Sequence, residues 1–337
     1  MSAAYREMLA RIIEGSGLSF DESAQLCRMM FDGSLTEAQT GAALAALSAR
    51  GEMPAEIAGF AATMKEHAVR INVEAELDTA GTGGDGGMTF NASTAASLLL
   101  AGSLKILKHG NRAVSSSSGS ADFLEALGYN INMSPAVVAS LLNTTGFAFA
   151  FAQLYHPAMK ALSSVRKQLG VRTIFNMLGP LTNPGNVKYR VIGVFSPAVM
   201  HKMADAAMMI GIKRAAIVHG EPGIDEVSPI GRTNMMIIDG HSVREMVVEA
   251  EDLGIAGIKI KDVMVNSPGE SAARFISALR GNDPPVLKFT LANAAVAMYV
   301  AGTARSVVDG MQIAQQMVSN AESRLKSIIK SSWVNVT

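Results

Sequence analysis

Apolar residues recur at helical spacing over the first 70 residues of the chain. Leu9 with Ile12, and Leu26 with Met29 and Met30, fall on single helix faces, because steps of three and four residues return to the same side of a helix. Three positions have residue types suited to a helix start: Asp21, Thr36 and Pro54. The pattern predicts a four-helix unit.

Near Asn72 the pattern changes to short apolar strands that alternate with helices. The candidate strands are Leu77–Ala80, Leu104–Lys108, Ala148–Phe151, Tyr189–Phe195 and Ala215–Val218. The candidate helices cover residues 92–101, 120–127, 135–142, 198–210, 268–280, 287–302 and 305–330. Such alternation is typical of α/β folds, and it predicts a mainly parallel central sheet flanked by helices on both faces.

One segment breaks this alternation. Residues 157–186 include Arg166 and Arg172 and then a run in which Pro180 and Pro184 limit helix formation. We interpret the segment as a return of the chain to the helical unit. The predicted domains are a small all-helical domain, residues 1–71 with 160–186, and a larger α/β domain, residues 72–159 with 187–337.

Composition narrows the classes of function. Hydrophobic residues make up 49% of the 337, enough for two buried cores, and 29 basic residues balance 29 acidic ones. Zero net charge, with no run of more than two basic residues, gives no support to nucleic-acid binding. The single cysteine, Cys27, excludes an intrachain disulfide. No apolar run is long enough to span a membrane, and the charged N-terminal stretch does not match a signal peptide, so we expect a cytoplasmic protein without a membrane partner.

A glycine-rich run follows the first candidate strand. Residues 81–87 read Gly-Thr-Gly-Gly-Asp-Gly-Gly, and residues 91–94, Asn-Ala-Ser-Thr, open the next helix. Glycines let backbone N–H groups approach an anion closely, and a helix N-terminus favours phosphate. The run matches neither the dinucleotide-binding motif nor the P-loop, and a tight turn without a ligand stays an alternative. The combination favours a diphosphate cradle.

Polar residues also follow two other strands. Residues 108–112, Lys-His-Gly-Asn-Arg, lie at the end of one strand, and four serines, Gly119 and Ser120 come after them. Lys108 suits a phosphate, and Ser120 suits either a phosphate or a helix cap. Asp225 and Glu226 come after another strand, and neighbouring carboxylates suit Mg²⁺, which prefers one or two carboxylates with phosphates and waters. Taken singly, each of these could be a solvated loop.

Arg166 is a candidate clamp for a carboxylate, because an arginine can bind that group through two parallel hydrogen bonds. A single arginine on a helix is more often simply solvated. His156 precedes Pro157 and could cap a helix that begins there, and the six histidines show no metal-ligand spacing.

Seven motifs, in order along the chain, resemble those of the anthranilate phosphoribosyltransferase family. They are GTGGD at 81–85, NxST at 91–94, KHGNR at 108–112, GSAD at 119–122, HPA at 156–158, FNMLGPLTNP at 175–184 and DE at 225–226. The likeness covers residues 5–330. It implies transfer of the phosphoribosyl group of phosphoribosyl pyrophosphate (PRPP) to anthranilate in tryptophan biosynthesis, two Mg²⁺ ions per subunit, and a homodimer joined through the helical domain.

The resemblance also implies which residues bind each substrate. Those for PRPP are Gly81, Thr82, Gly83, Gly84, Asp85, Thr89, Asn91, Ser93, Thr94, Lys108 and Ser120. Those for anthranilate are Gly81, His109, Asn111, His156, Arg166 and Gly179. The metal ligands are Ser93, Asp225 and Glu226. No residue is identified as a general base.

Several positions depart from the usual pattern of this family: Met88, Ser117, Gln153 and Glu221-Pro222. Ser117 stands where many relatives have a basic residue, so phosphate affinity is either weaker or supplied by other groups. Two alternative functions stay open. A pyrimidine nucleoside phosphorylase shares the architecture without needing the acidic pair, and a non-catalytic relative would bind nucleic acid.

Overall fold

The computed structural model describes residues 3–83, 89–113 and 117–334. The chain begins with four helices: α1 (Ala3–Ile13), α2 (Phe20–Phe31), α3 (Glu37–Arg50) and α4 (Pro54–Glu66). Ser19 and Thr36 cap α2 and α3, each paired with an acid or amide three residues later, and Pro54 occupies the first turn of α4. The predicted four-helix unit is confirmed, although α2 starts one residue before Asp21.

A seven-stranded sheet follows the four helices. Its strands are β1 (Glu74–Gly81), β2 (Ile106–Gly110), β3 (Phe147–Phe151), β4 (Asn186–Gly193), β5 (Arg214–Gly220), β6 (Thr233–Asp239) and β7 (Ser242–Val248). They lie in the order β3-β2-β1-β4-β5-β6-β7. Neighbouring strands from β3 across to β5 in this order pair parallel, whereas β6 pairs antiparallel with β5 and β7 pairs antiparallel with β6. The predicted α/β class with a mainly parallel sheet is confirmed.

Helices cover this sheet. They are α5 (Ala92–Leu100), α6 (Ser120–Ala126), α7 (Pro135–Thr145), α8 (Ala152–Tyr155), α9 (Ser163–Leu169), α10 (Phe175–Leu178), α11 (Pro197–Met209), α12 (Pro268–Leu279), α13 (Pro284–Ala301), α14 (Val307–Met317) and α15 (Ala321–Ser331). Short 3₁₀ turns occupy Pro157–Leu162, Gly179–Leu181, Ile260–Asp262 and Val318–Asn320. The last of these interrupts the helix predicted over residues 305–330, so that part of the prediction is wrong.

The strands β6 and β7 were not predicted from the pattern. β6 is largely buried and carries two methionines and two isoleucines, whereas β7 is an exposed edge strand whose apolar residues are interrupted by Arg244 and Glu245. Their extended form depends on pairing with each other and with β5, a contact that no local pattern carries.

Two apolar clusters hold the fold together. The larger one lies between the sheet and helices such as α5, α12 and α13. The second joins α1–α4 to the far sheet face and includes Leu162, Val165, Phe175 and Leu178 of the segment after β3. That segment therefore packs on the first helices, as expected for a return of the chain. Within the described residues, no helix is long and apolar enough to cross a membrane.

Candidate active site

A cleft of about 330 Å³ opens at the carboxyl ends of β1 and β2, beside the loop that follows β5. This edge is where open parallel sheets bind ligands. The described part of its lining includes most of the residues predicted for PRPP and metal: Gly81, Thr82, Gly83, Thr89, Asn91, Ser93, Thr94, Lys108, Ser120, Asp225 and Glu226. It also includes His109 and Asn111. Gly84 and Asp85 lie outside the described residues.

Asp225 reaches the glycine turn because two strand ends lack side chains. A Cβ on Gly81 would lie 2.8 Å from Cγ of Asp225, and a Cβ on Gly193 would lie 2.6 Å from its carbonyl carbon. Both separations are shorter than Cβ atoms in proteins show. The N–H of Gly83 donates to Oδ2 of Asp225 at 2.7 Å, so the acidic pair and the glycine turn share one wall of the cleft.

Glu226 lies at the N-terminus of α5. Its Oε1 accepts the backbone N–H of Ser93 at 3.0 Å, an arrangement that the helix dipole favours. Burial, reinforced by the neighbouring Asp225 carboxylate, raises the pKa of Glu226, whereas the Ser93 hydrogen bond and Lys108 lower it. The N-terminus of α5 was expected to bind phosphate directly. At Ser93, however, its backbone N–H is already bound to the carboxylate of Glu226.

Lys108 is buried in the floor of the cleft. Its ammonium donates to the carbonyl and hydroxyl oxygens of Thr79 and lies 3.4 Å from Oγ of Ser93. Burial lowers the pKa of Lys108, whereas the carboxylates of Asp78, Glu226 and Asp225 raise it. The lysine thus supplies positive charge close to both acids of the DE motif.

Asp78 was missed by the sequence analysis. Its Oδ1 accepts the N–H of His109 at 3.1 Å, and its Oδ2 accepts Nδ2 of Asn183 at 2.8 Å. The same amide of Asn183 donates to the carbonyl of Leu107 at 2.7 Å. Asp78 therefore orients the backbone that presents Lys108 and His109. A carboxylate inside a candidate core strand was the available signal, since a buried charge needs partners.

Asn91 and Ser120 have structural partners of their own. Oδ1 of Asn91 accepts hydrogen bonds from Ser118 and Ser271, both at 2.8 Å, which ties the serine loop to α12. Ser120 was a possible helix cap, but Gly119 occupies the cap position of α6 and Oγ of Ser120 donates to the carbonyl of Asn111 at 3.3 Å. The capping role is therefore wrong.

The serine run lies partly outside the described residues, but Ser117 is described. Its Oγ donates to the carbonyl of Val265 at 3.0 Å. Nearby Arg112 is paired with Asp122 and Glu125. Gln153, another departure from the family pattern, donates to Oδ1 of Asn111 at 3.3 Å.

Two buried histidines lie in contact at the edge of the cleft, and one of them, His109, is part of its lining. The rings of His109 and His156 are 5.0 Å apart, and Nδ1 of His109 lies 3.0 Å from the carbonyl of Gly179. Burial lowers the pKa of His109 to about 4 and that of His156 to about 3. Both rings are therefore neutral at pH 7. His156 stands before the 3₁₀ turn at Pro157 but makes no side-chain cap there.

Arg166 lies on α9, outside the described lining of the cleft. Its Cζ lies 5.7 Å from the ring centre of Phe175. Burial lowers the pKa of Arg166, and within the described parts of the chain no carboxylate comes within 4.0 Å of its guanidinium. The side chain is thus a partly buried cation that lies over an aromatic ring.

Arg172 and Asn176 line the cleft, although neither was predicted to. Nη2 of Arg172 donates to the carbonyl of Gly83 at 3.0 Å and lies 3.3 Å from that of Thr82. Asn176 accepts the N–H of Thr173 at 3.0 Å. Both lie in the segment that returns to the helices, where nothing in the local pattern indicates which side chains reach the sheet.

The donor set of the cleft suits a hard cation. Within residues 3–83, 89–113 and 117–334, no three His, Cys, Asp or Glu side chains form a group that could hold a metal ion. The cleft provides the carboxylates of Asp225 and Glu226 beside the hydroxyl of Ser93, all oxygen donors. Magnesium prefers such a partial set, completed by phosphate oxygens and waters.

Comparisons with known proteins agree with this geometry. Residues 74–323 match the model of the glycosyl transferase family, a/b domain, and residues 6–68 match that of its helical bundle domain. The anthranilate phosphoribosyltransferase of Metallosphaera sedula is 43% identical over 325 residues, which cover 96% of this chain and 95% of the relative. That of Caldivirga maquilingensis is 46% identical over 319 residues, 94% of each chain.

Solved structures give the same result. A crystal structure of anthranilate phosphoribosyltransferase from Thermus thermophilus superposes with a TM-score of 0.89 at 36% identity, covering 96% of this chain and 99% of the other. The enzyme of Saccharomyces cerevisiae, in complex with PRPP and Mg, has a TM-score of 0.88 at 27% identity and 98% coverage of both chains. A further structure of the yeast enzyme contains 4-fluoroanthranilate, with a TM-score of 0.86 at 26% identity and the same coverage.

Proposed function

The chain belongs to the anthranilate phosphoribosyltransferase family, and we propose that its cleft transfers the phosphoribosyl group of PRPP to anthranilate. The products are N-(5-phosphoribosyl)anthranilate and pyrophosphate, in a step of tryptophan biosynthesis. The hydrogen bond from Gly83 to Asp225 is the observation that carries the proposal. It joins the glycine turn and the acidic pair in one cleft, where diphosphate and Mg²⁺ must meet.

The PRPP site is proposed to be the wall built from the glycine turn, the start of α5 and Lys108. Its residues are Gly81, Thr82, Gly83, Gly84, Asp85, Thr89, Asn91, Ser93, Thr94, Lys108 and Ser120. Buried Thr94 and Lys108 offer a hydroxyl and a positive charge in a region with little water, where electrostatic attraction to phosphate is strong.

The anthranilate site is proposed to adjoin the histidine pair. Its residues are Gly81, His109, Asn111, His156, Arg166 and Gly179. The neutral rings of His109 and His156 suit the apolar body of an aromatic acid. Arg166 suits its carboxylate, because a partly buried guanidinium with no carboxylate within 4.0 Å in the described residues gains most from an anionic ligand.

Two Mg²⁺ ions per subunit are proposed, held by Ser93 with Glu226 and by Asp225 with Glu226. When bound, they would neutralise charge on the pyrophosphate leaving group. Lys108 adds positive charge at the same place, where its ammonium lies 3.4 Å from the hydroxyl of Ser93. Such groups matter most where charge develops as the C1–O bond breaks.

The aromatic amine attacks C1 of the ribose as the bond to pyrophosphate weakens. Its nitrogen is neutral at pH 7, so it needs no base before attack, and we assign none. As the N–C1 bond forms and the C1–O bond breaks, pyrophosphate leaves with the bonding electrons and the amine proton is released to solvent. The residues around His109 hold the amine near C1, which replaces an encounter of two molecules by a reaction within one complex.

Domain roles follow from the packing of the chain. We propose that residues 1–71 with 160–186 form the helical domain, which pairs two subunits and supplies Arg166, and that residues 72–159 with 187–337 bind PRPP and Mg²⁺. The shared apolar cluster of the first helices with Val165 and Phe175 supports this division. A cytoplasmic location is part of the proposal.

The direct test is detection of N-(5-phosphoribosyl)anthranilate from anthranilate, PRPP and Mg²⁺. We expect product that depends on all three components. Absence of product with folded protein would refute the assignment, and phosphorolysis of thymidine or uridine would point to the phosphorylase instead.

The acidic pair is tested by Asp225→Asn combined with Glu226→Gln over a range of Mg²⁺ concentrations. We expect loss of activity that excess Mg²⁺ restores only in part, because the protein ligands of the ions are weakened. Full activity of the folded double variant would exclude the metal role.

A further inference from the structure

The Thr82–Gly83 turn is held by hydrogen bonds from three directions. The N–H of Thr82 donates to the carbonyl of Gly193 at 2.9 Å, and the N–H of Gly83 donates to Asp225. Their two carbonyls both accept from Arg172. All four backbone polar groups of these residues are therefore satisfied, in a stretch whose Gly83 has a φ of +63°.

Arg172 is itself held firmly. Its carbonyl accepts the hydroxyl of Ser48 on α3 at 3.0 Å, and its guanidinium lies over the ring of Phe195 with Cζ 3.9 Å from the ring centre. The first contact fixes the base of the side chain to the helices, and the second fixes the planar tip beside the end of β4. The guanidinium thus reaches the turn already oriented.

Arg172 also links the two substrate regions along the chain. It lies three residues after the end of α9, which carries Arg166, and three residues before the start of α10. From this segment it crosses to the glycine turn, which lies on the α/β side of the cleft. A change in the turn and a change in this segment are therefore mechanically connected.

We propose that Arg172 is a positioning residue for the reaction: it holds the Thr82–Gly83 turn in the shape that receives PRPP and ties that turn to the segment carrying Arg166. A glycine-rich turn has many accessible backbone conformations, and ordering it during binding lowers affinity. The two hydrogen bonds from Arg172 order it beforehand. The proposal builds on the proposed function, since PRPP is the substrate whose binding it controls.

The test compares Arg172→Lys and Arg172→Gln with the unaltered enzyme. Lysine keeps the positive charge but lacks the planar face that stacks on Phe195, whereas glutamine removes the charge as well. We expect KM for PRPP to rise about tenfold or more in both variants, equivalent to about 1.4 kcal/mol, with KM for anthranilate changed less than threefold. Lys167→Gln, an exposed neighbour on α9, serves as the matched control with kinetics like the unaltered enzyme.

A second measurement follows hydrogen exchange of the peptide that contains the Gly83 amide. Without substrate, exchange should be faster in both Arg172 variants than in the unaltered enzyme, and saturating PRPP should reduce the difference. This readout needs no activity, and any variant that yields folded protein suffices.

Three results would overturn the proposal. Recovery of normal KM for PRPP by Arg172→Lys would assign the effect to charge alone. Equal rises in both KM values together with a lower Tm would indicate general destabilisation, and unchanged exchange at the turn would remove its structural basis. Failure of the unaltered enzyme to form product would count instead against the proposed function.

Discussion

Gly81→Ala isolates the contact on which the metal and diphosphate site depends. A Cβ at residue 81 would lie 2.8 Å from Cγ of Asp225 and closer still to Oδ2, whereas ordinary contact begins at 3.4 Å. Gly81 is fixed in β1, in register with Gly193 of β4, so the carboxylate rather than the strand must give way. We estimate a retreat of roughly 1 Å, enough to weaken the Gly83 hydrogen bond to Asp225.

The kinetic consequence is large because the carboxylate belongs to the proposed site. A misplacement of about 1 Å can cost about a hundredfold in rate, which corresponds to roughly 2.7 kcal/mol of transition-state stabilisation. We therefore expect kcat/KM for PRPP to fall about a hundredfold, with a higher Mg²⁺ requirement. The assay is steady-state product formation with PRPP varied at several Mg²⁺ concentrations.

Gly269→Ala provides the matched control. Gly269 lies in the first turn of α12, and a Cβ there meets nothing within 4 Å. Alanine should leave the kinetics unchanged and stabilise the helix by up to about 1 kcal/mol. If Gly81→Ala retained kcat/KM within threefold of the unaltered enzyme, with the same Mg²⁺ dependence, the contact with Asp225 would not matter and the reasoning would fail.

Three further predictions concern charge and pH. Arg166→Ala should raise KM for anthranilate tenfold or more with less change for PRPP, as steady-state kinetics would show; unchanged anthranilate kinetics would refute the clamp. Because the pKa of Glu226 is raised, protons compete with Mg²⁺, so the apparent Mg²⁺ affinity measured by calorimetry in the presence of PRPP should increase from pH 6.5 to 8.5. Glu226→Gln should weaken and flatten that dependence, and a flat profile in the unaltered enzyme would contradict the prediction. His156 is neutral in the folded chain, with its pKa lowered from about 6.5 to about 3, so its contribution to stability is present above pH 6.5 and is lost as pH falls towards 3. The free energy of unfolding of folded His156→Asn should therefore fall less on acidification, by up to about 1.4 kcal/mol per pH unit in that window. Denaturant titrations at several pH values measure this, and an equal fall in both proteins would contradict the prediction.

The alternative functions differ in what supports them. A phosphorylase would share the sheet and helices but would have no use for Glu226 held at the start of α5 beside Asp225 and Lys108. A nucleic-acid-binding protein would need a basic excess, whereas 29 acidic residues balance the 29 basic ones, and Lys108 and Arg112 at the cleft are buried or paired with acids.

Local patterns in the sequence were sufficient for the four first helices, five strands and the α/β class. Helical spacing and a capping residue such as Thr36 act within a few neighbours, so they can be recognised without knowing the fold, although the cap of α2 is Ser19 rather than the predicted Asp21. The motif residues Gly81, Ser93 and Lys108 could also be found, because strand ends of a parallel sheet meet at one edge.

Other features were decided by contacts between distant parts of the chain. β7 is extended because it pairs with β6, Asp78 serves the site through Asn183, and Arg172 reaches Gly83 from a segment 89 residues away. The residues next to β7, Asp78 and Arg172 in the sequence do not indicate which distant part of the chain each of them will contact. By itself the sequence determined which residue types were available and which local elements they favour, since those depend on short-range sterics and hydrogen bonding. Tertiary structure alone decided which charges and backbone groups became partners, because burial and distance exist only after the chain has packed.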